Sequence, residues 1–131
     1  MTRYVIGPDV ALRLAQEQTA VRAHHQLVAP TLIRSQVLSL LYRAVASGEL
    51  SKADGERQLD HVHGLRICLL GDRVLQSVAW KVAAELGWSD ILDAEYVALT
   101  QLQADALVTL DARMAREVAG VVTVAPFEDL A

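Results

Sequence analysis

The sequence predicts an α/β fold in three layers, with a central parallel sheet flanked by helices. Two observations lead to this prediction. Short apolar runs alternate with segments whose apolar residues recur at helical spacing, and Gly, Pro or Asp punctuates the turns between them. Because strands that alternate with helices pair in parallel through right-handed crossovers, their carboxyl ends should share one edge of the sheet. Open α/β sheets bind their ligands at that edge.

The first half of the chain begins with a strand at residues 3–6 and a sharp turn at Gly7-Pro8-Asp9, followed by a helix from Val10. A polar stretch containing His24 and His25 comes next. Pro30 then precedes a second helix, which should stop near Gly48. The residues expected on its apolar face are Ile33, Val37, Leu40, Leu41 and Ala44.

The second half continues the alternation. Ser51 should cap a strongly charged helix that lies outside the core, and Gly87 should end a later helix. The helix that follows should carry Ile91, Ala94, Glu95, Ala98 and Leu102 on one side. The predicted helices are 52–63, 74–86 and 91–103, and the predicted strands are 65–70, 106–110 and 121–124.

Composition limits the classes of protein that fit. With 131 residues, 53% of them hydrophobic, the chain suits one domain, 1–131, without disulfides or a structural metal. No apolar stretch is long enough to cross a bilayer and no signal peptide is evident, so we expect a cytoplasmic protein. The single cysteine, Cys68, is expected to be buried and inert. A net charge of −4 means that any polyanion needs a local basic patch.

Two acids stand at element ends that the topology should bring together. Asp93 falls in the first turn of the helix 91–103, and Asp111 closes the strand 106–110. Each has an ordinary structural explanation, because an acid complements the positive end of a helix dipole and Asp is a good helix N-cap. The alternative is that both face a ligand at the carboxyl edge of the sheet.

Four segments together resemble a known family: YVIGPDVALRL, APTLIRSQVLSLLYRAV, LDAEYVALTQLQADALVTLDARM and VVTV. They resemble the PIN domain, and within it the small VapC type, the ribonuclease toxins of bacterial toxin–antitoxin pairs. The third segment is the most specific, because Asp93, Ala94, Tyr96 and the run Val108 to Asp111 meet the family pattern. The resemblance implies a PIN-like fold.

The family holds Mg²⁺ or Mn²⁺ with an acid after the first strand, an acid on the second helix and two acids late in the chain. Such hard cations take carboxylate oxygens. Here the first position is Gly7 and the second is Gln36, whose neutral carbonyl would coordinate weakly or through water. The resemblance therefore implies a degenerate acidic site in which the metal is held weakly.

Asp9 complicates this expectation. It stands where the family commonly has a Ser or Thr that caps the first helix, and it either supplies a carboxylate from a shifted position or only caps that helix. The implied metal ligands are Asp93, Asp111, Asp9 and Gln36, the three acids being the catalytic candidates. Arg13, Arg34 and Arg113, with Arg116, would ring the cleft and contact an RNA backbone, although arginines are common on helix surfaces. Trp80 and Trp88 are expected to pack.

Three functions remain open. The resemblance implies a metal-dependent endoribonuclease that forms a homodimer and has a VapB-like antitoxin as its partner. The absence of acids at Gly7 and Gln36 favours instead an inactive PIN module that binds protein or RNA. The third hypothesis is an unrelated α/β domain that binds a small anionic ligand at its strand ends, and it depends on the fold class alone.

Overall fold

A computed structural model describes residues 1–131. Five parallel strands form one sheet in the order β3-β2-β1-β4-β5, and six α-helices flank it. The strands are β1 Thr2–Ile6, β2 His25–Pro30, β3 Cys68–Leu70, β4 Ala106–Val108 and β5 Val124–Ala125. The helices are α1 Pro8–Glu17, α2 Ile33–Ala46, α3 Lys52–Gly64, α4 Arg73–Leu86, α5 Leu92–Gln103 and α6 Ala112–Val118, and a short 3₁₀ helix follows at Phe127–Leu130.

The central strand, β1, pairs with β2 on one side and with β4 on the other. Its register places Val5 beside Val28 and Leu107, and all three side chains are buried. Strands covered on both faces bury consecutive residues, as β4 does with Ala106, Leu107 and Val108. The predicted three-layer α/β architecture is confirmed.

Helix α5 is the central helix of the structure. It contacts β1, β2 and β4 and packs against α4. The residues it buries are Ala94, Tyr96, Val97, Ala98, Leu99 and Thr100. Because these are nearly consecutive, they cover most of the circumference of the helix, and the predicted single apolar face is wrong. Leu102, expected on that face, is exposed.

Three strands differ from the prediction, and β4 ends at Val108 rather than at residue 110. The strand β2 was missed because its polar start, His25 and Gln26, conceals the apolar run Leu27 to Pro30. The last strand lies at Val124–Ala125 rather than at residues 121–124. The predicted strand 65–70 is reduced to Cys68–Leu70, at the sheet edge beside β2. This edge position leaves Cys68 half-buried, so the expectation of a buried thiol is wrong.

The helix starts and stops follow their local signals. Ser51 caps α3 by accepting a hydrogen bond from the Asp54 amide at 3.1 Å, and Gly87 ends α4 at φ 70°. Helix α3 contributes no residue to the buried hydrophobic core, as predicted, although it contacts α1 and α2 and packs the half-buried Leu59 and Val62 against that core. On α2, Leu40 is exposed, and Trp80 on α4 is 74% exposed, which contradicts its predicted packing role. No helix is long and apolar enough to span a membrane.

Candidate active site

Three acids from separate parts of the chain line one pocket at the carboxyl edge of the sheet. Asp9 lies in the first turn of α1, directly after β1, and Asp111 precedes α6, shortly after β4. Asp93 lies in the first turn of α5. The pocket, hereafter the acidic pocket, has a volume of about 170 Å³. Its other lining residues are Gly7, Pro8, Tyr96, Leu107, Thr109 and Met114.

Asp111 caps helix α6. Its Oδ1 accepts hydrogen bonds from the amides of Arg113 at 2.9 Å and Met114 at 3.2 Å. Its own amide donates to Thr109 Oγ1 at 3.1 Å, which orients the turn. The capping role expected from the sequence is therefore real. Because capping uses only Oδ1, the second carboxylate oxygen remains available to a ligand.

Asp9 fills the space beside Gly7. A methyl carbon on residue 7 would lie 2.6 Å from Asp9 Oδ1, well inside van der Waals contact. The Gly7 backbone, at φ −82° and ψ 170°, is one that any residue adopts, so glycine is favoured only by the close approach of the Asp9 carboxylate, which would have to shift to admit a Cβ. The N-cap of α1 is Gly7 itself, and Asp9 lies inside the helix, so the simple capping explanation for Asp9 is wrong.

The Asp9 carboxylate links two parts of the carboxyl edge. Oδ1 accepts from the Val10 amide at 2.8 Å, and Oδ2 accepts from the Leu110 amide at 3.1 Å, a residue distant in sequence. The second bond ties the start of α1 to the loop after β4. A carboxylate has about four acceptor sites, so each oxygen keeps one lone pair. The carboxylate is thus both a structural link and a potential ligand.

Asp93 has a raised pKa because of its position in the acidic pocket. Burial raises the pKa of its carboxyl, and the negative charges of Asp90, Asp111 and Asp9 raise it further, while Arg113 opposes them. Asp93 takes part in none of the ion pairs of the chain. Carboxylates that repel one another in this way are stabilised when a cation or a proton joins them.

Gln36 is held by Tyr96. The Tyr96 hydroxyl donates to Gln36 Oε1 at 2.5 Å, across from α5 to α2. Burial, followed by the charges of Asp93, Glu95 and Asp9, raises the pKa of Tyr96, so its hydroxyl stays protonated and acts as a donor. The amide oxygen of Gln36 is therefore already occupied in part. This contact was not predicted, although Tyr96 had been singled out in the family pattern.

Among the solved structures that match the chain, three are similar to it along almost its full length. PAE2754 from Pyrobaculum aerophilum is 22% identical with a TM-score of 0.77, and the match covers 97% of this chain and 90% of that one. VapBC2 from Rickettsia felis, bound to a DNA fragment from its promoter, is 11% identical with a TM-score of 0.70. The match covers 95% of this chain and 98% of that one. VapBC-1 from nontypeable Haemophilus influenzae is 10% identical with a TM-score of 0.62, covering 96% and 98%.

The chain has a PIN-domain fold. At these identities the likeness establishes the fold alone. No protein-family model matches the sequence, and no curated protein matches it either. The predicted resemblance is confirmed at the level of the PIN and VapC-like fold. The activity must therefore be inferred from the residues that this PIN fold places in the acidic pocket.

The donors of the acidic pocket fit a divalent cation chemically but do not form a complete cage. Asp93 and the free oxygen of Asp111 are hard carboxylate donors of the kind that Mg²⁺ and Mn²⁺ prefer. No group of three or more His, Cys, Asp or Glu side chains is arranged to hold a metal ion. Asp9 and Gln36, the remaining predicted ligands, both spend oxygens on protein hydrogen bonds. Any cation here would be held weakly.

The predicted arginines lie in different surroundings. Arg113 lines a neighbouring pocket of about 270 Å³ that shares Asp93 with the acidic pocket, and it lies 3.9 Å from Glu117. Arg34 is exposed in the first turn of α2, which follows the carboxyl end of β2. Arg13 instead pairs with Glu17 at 2.7 Å and stacks over the Phe127 ring at 4.1 Å. Arg113 is thus the predicted arginine nearest the acids.

Proposed function

We propose that this protein is a VapC-like, divalent-metal-dependent endoribonuclease whose metal binding is weakened. The similar VapBC structures and the PIN fold support the nuclease class. The observation that carries the proposal is the position of Asp9. Its carboxylate occupies the space that opens directly beside residue 7, where the resemblance implies an acid. Asp9 thereby gives the acidic pocket a third carboxylate beside Asp93 and Asp111.

The chain's own residues would divide the work of hydrolysis. Asp93 and Asp111 would bind the cation, and Asp9 would add negative charge from the opposite wall. When bound, Mg²⁺ or Mn²⁺ would supply activation of water and stabilisation of the leaving oxygen. Arg113, which lies beside Asp93, would position a phosphate of the RNA backbone, and Arg34 would contact a phosphate further along the strand.

The proposal extends to partners. Two of the similar structures are VapBC structures, and on that basis we propose a VapB-like antitoxin as a partner of this chain. We also propose that the chain forms a homodimer, which light scattering of the purified protein tests directly. Co-expression with the protein encoded by the neighbouring gene, followed by co-purification, tests the antitoxin.

A second function is favoured by a specific contact. The Gln36 carbonyl accepts from Tyr96, and no three-ligand group is present, so the acidic pocket resembles a metal site converted to a hydrogen-bonded structure. An inactive PIN module would keep this pocket for shape alone and bind protein or RNA without cleaving it. The two functions differ in whether the chain turns over RNA.

The deciding experiment is RNA cleavage with Mg²⁺ or Mn²⁺ and with a chelator. We expect cleavage by wild type that the chelator abolishes, and a loss of about 100-fold or more in Asp93→Asn and Asp111→Asn, as is typical when a group that stabilises charge in the transition state is removed. Asn still caps a helix, so Asp111→Asn should fold. Asp60→Asn, an exposed acid on α3, is the matched control.

Calorimetric titration with Mn²⁺ separates the two functions. Weak but saturable binding that is lost in Asp93→Asn supports the nuclease. If wild type neither binds Mn²⁺ nor cleaves RNA at any metal concentration, the inactive module replaces it. Cleavage that survives unchanged in both Asn variants would place the chemistry outside the acidic pocket.

A further inference from the structure

A second pocket lies at the amino edge of the sheet, away from the three acids. It has a volume of about 570 Å³ and is formed by the segment that leads into β2 and by the end of α3 with the loop that follows. Strand β2 begins at His25, in this pocket, and runs toward the opposite edge. Pockets of roughly 300–1,000 Å³ accept small organic ligands. Its position makes it independent of the acidic pocket.

The lining of this pocket is basic. It includes Arg22, Arg66, His25 and His61, and no Asp or Glu is among its lining residues. We refer to it as the basic pocket. Neither arginine takes part in an ion pair of the chain. In a chain of net charge −4, a concave surface with two arginines free of carboxylate partners attracts anions.

Two histidines of the lining have ring nitrogens without a hydrogen-bond partner. Nδ1 of His25 and Nε2 of His61 are buried, and no protein group is hydrogen-bonded to either. Both nitrogens have almost no accessible surface, so they lie beneath the lining of the pocket rather than on it. The ring of His25 is held edge-on by Tyr4, with ring centroids 5.1 Å apart, which limits its freedom to turn toward another acceptor or donor.

Arg66 adopts a backbone conformation that usually belongs to glycine, with φ 54°. This left-handed conformation is unfavourable for a residue with a Cβ. Gly at this position would relax the backbone but would not supply a guanidinium. Arg66→Gly therefore removes the guanidinium without straining the backbone, so it tests the role of the positive charge by itself.

We infer that the basic pocket binds a small phosphate-bearing molecule of about the size of a nucleoside monophosphate. Arg22 and Arg66 contact the phosphate, since the planar guanidinium fork matches phosphate oxygens. His25 and His61 form part of the lining, and the remaining volume holds the organic part of the ligand. This inference does not depend on the nuclease activity proposed above.

The test is calorimetric titration of the full chain with two probes, inorganic phosphate and AMP. We expect saturable binding, tighter for AMP than for phosphate because AMP also fills the organic part of the pocket. Arg22→Ala and Arg66→Gly should each weaken AMP binding by about tenfold or more. Arg43→Ala, an exposed arginine on α2, is the matched control and should bind as wild type does.

Three results would overturn the inference. Absence of saturable binding of either probe to wild type overturns the inference, as does wild-type affinity in Arg66→Gly. Because Arg66→Gly should fold at least as well as wild type, its loss of binding cannot be attributed to unfolding, even if Arg22→Ala is unstable. Equal weakening in Arg43→Ala would indicate nonspecific attraction and overturns it too. Asp93→Asn should keep full AMP binding, which separates this pocket from the proposed nuclease site.

Discussion

The two walls of the acidic pocket differ in how they use their polar groups. On the wall formed by α5 and the loop after β4, Asp93 and Asp111 keep carboxylate oxygens that no protein donor occupies in full. On the wall formed by α1, Asp9 accepts two backbone amides. Gln36 of α2, which is not among the lining residues, accepts the hydroxyl of the lining residue Tyr96. One wall keeps carboxylate oxygens free for a ligand, whereas the polar groups on the α1 wall and at Gln36 are partly engaged in hydrogen bonds with the protein.

At the two positions where the resemblance implies acids, the protein has other polar contacts. The space at Gly7 is filled by the Asp9 carboxylate, and the Gln36 oxygen has a protein partner. The pocket keeps its shape with less repulsion than a full set of acids would produce. The following predictions test how these contacts affect metal affinity and stability.

The largest effect, on Mn²⁺ affinity, should come from placing acids at residues 7 and 36. The triple variant Gly7→Asp, Asp9→Ser, Gln36→Glu adds a net charge of −1. It also removes the Asp9 carboxylate, which occupies the space beside residue 7. We expect it to bind Mn²⁺ about 100-fold more tightly than wild type, or roughly 2.7 kcal/mol, by calorimetry. Gly7→Asp alone should gain less, because its Cβ would lie 2.6 Å from Asp9 Oδ1.

The control for this variant is Ser39→Glu, which adds one acid to α2 at an exposed position outside the acidic pocket. It should leave Mn²⁺ affinity near that of wild type. If the triple variant binds no more tightly than Ser39→Glu, the absence of acids at residues 7 and 36 does not limit metal affinity.

A methyl group at residue 7 should disturb the fold next most strongly. Gly7→Ala forces the Asp9 carboxylate away from the Val10 and Leu110 amides. We expect a net loss of about 1 kcal/mol in the free energy of unfolding, from broken hydrogen bonds partly offset by lower unfolded-state entropy. Urea unfolding measures this value. Adding Asp9→Ser should recover part of the loss.

Gly120→Ala serves as the matched control, since a methyl group there meets nothing within 4 Å. Its stability should equal or slightly exceed that of wild type. Equal stability of the Gly7 and Gly120 variants would show that the Asp9 carboxylate is not confined by residue 7.

Removing the Tyr96 hydroxyl should have a slightly smaller effect. Tyr96→Phe breaks the bond to Gln36 and should reduce the free energy of unfolding by about 0.5–1 kcal/mol, because the half-buried Gln36 amide can turn toward water. Tyr42→Phe, at a position 72% exposed, is the control and should be neutral. An unchanged stability in Tyr96→Phe would contradict the idea that the bond between Tyr96 and Gln36 stabilises the fold beside the acidic pocket.

The smallest effect concerns the charge of Asp93. Burial and the neighbouring acids raise the pKa of its carboxyl, so the folded protein binds a proton more tightly than the unfolded chain does. This contribution to the free energy of unfolding therefore falls as pH rises from the ordinary value, about 4, through the raised pKa. Asp93→Asn should lack this dependence. At pH 7 it should melt about 1–2 °C above wild type, a small change because the carboxyl is only partly buried and solvent screens its charge.

Mn²⁺ should reverse the order of the two melting temperatures at pH 7. It should stabilise wild type but not Asp93→Asn, since only wild type offers the carboxylate. Thermal melts at pH 4 and pH 7, with and without Mn²⁺, make the comparison, and Asp60→Asn should behave as wild type throughout. A variant that melts below wild type at pH 7 without metal would show that the Asp93 charge stabilises the fold.

Local signals predicted those parts of the fold that depend on neighbours in sequence. Ser51, Gly87 and Asp111 end or begin helices as expected, because capping involves only residues within one turn. The sequence also indicated the α/β order, and with it the meeting of Asp93 and Asp111 at one edge. The strand β2 escaped prediction because its pairing with β1 and β3 compensates for a polar start that no local pattern identifies.

The sequence by itself determined the alternation of strands and helices, the acids after β1 and β4, and the absence of acids at Gly7 and Gln36. Only the tertiary structure decided what replaces them. The Asp9 carboxylate reaches the Leu110 amide, and Tyr96 reaches Gln36, across 101 and 60 residues of sequence. Such contacts depend on how strands and helices pack against one another, and spacing along the chain carries no information about those distances.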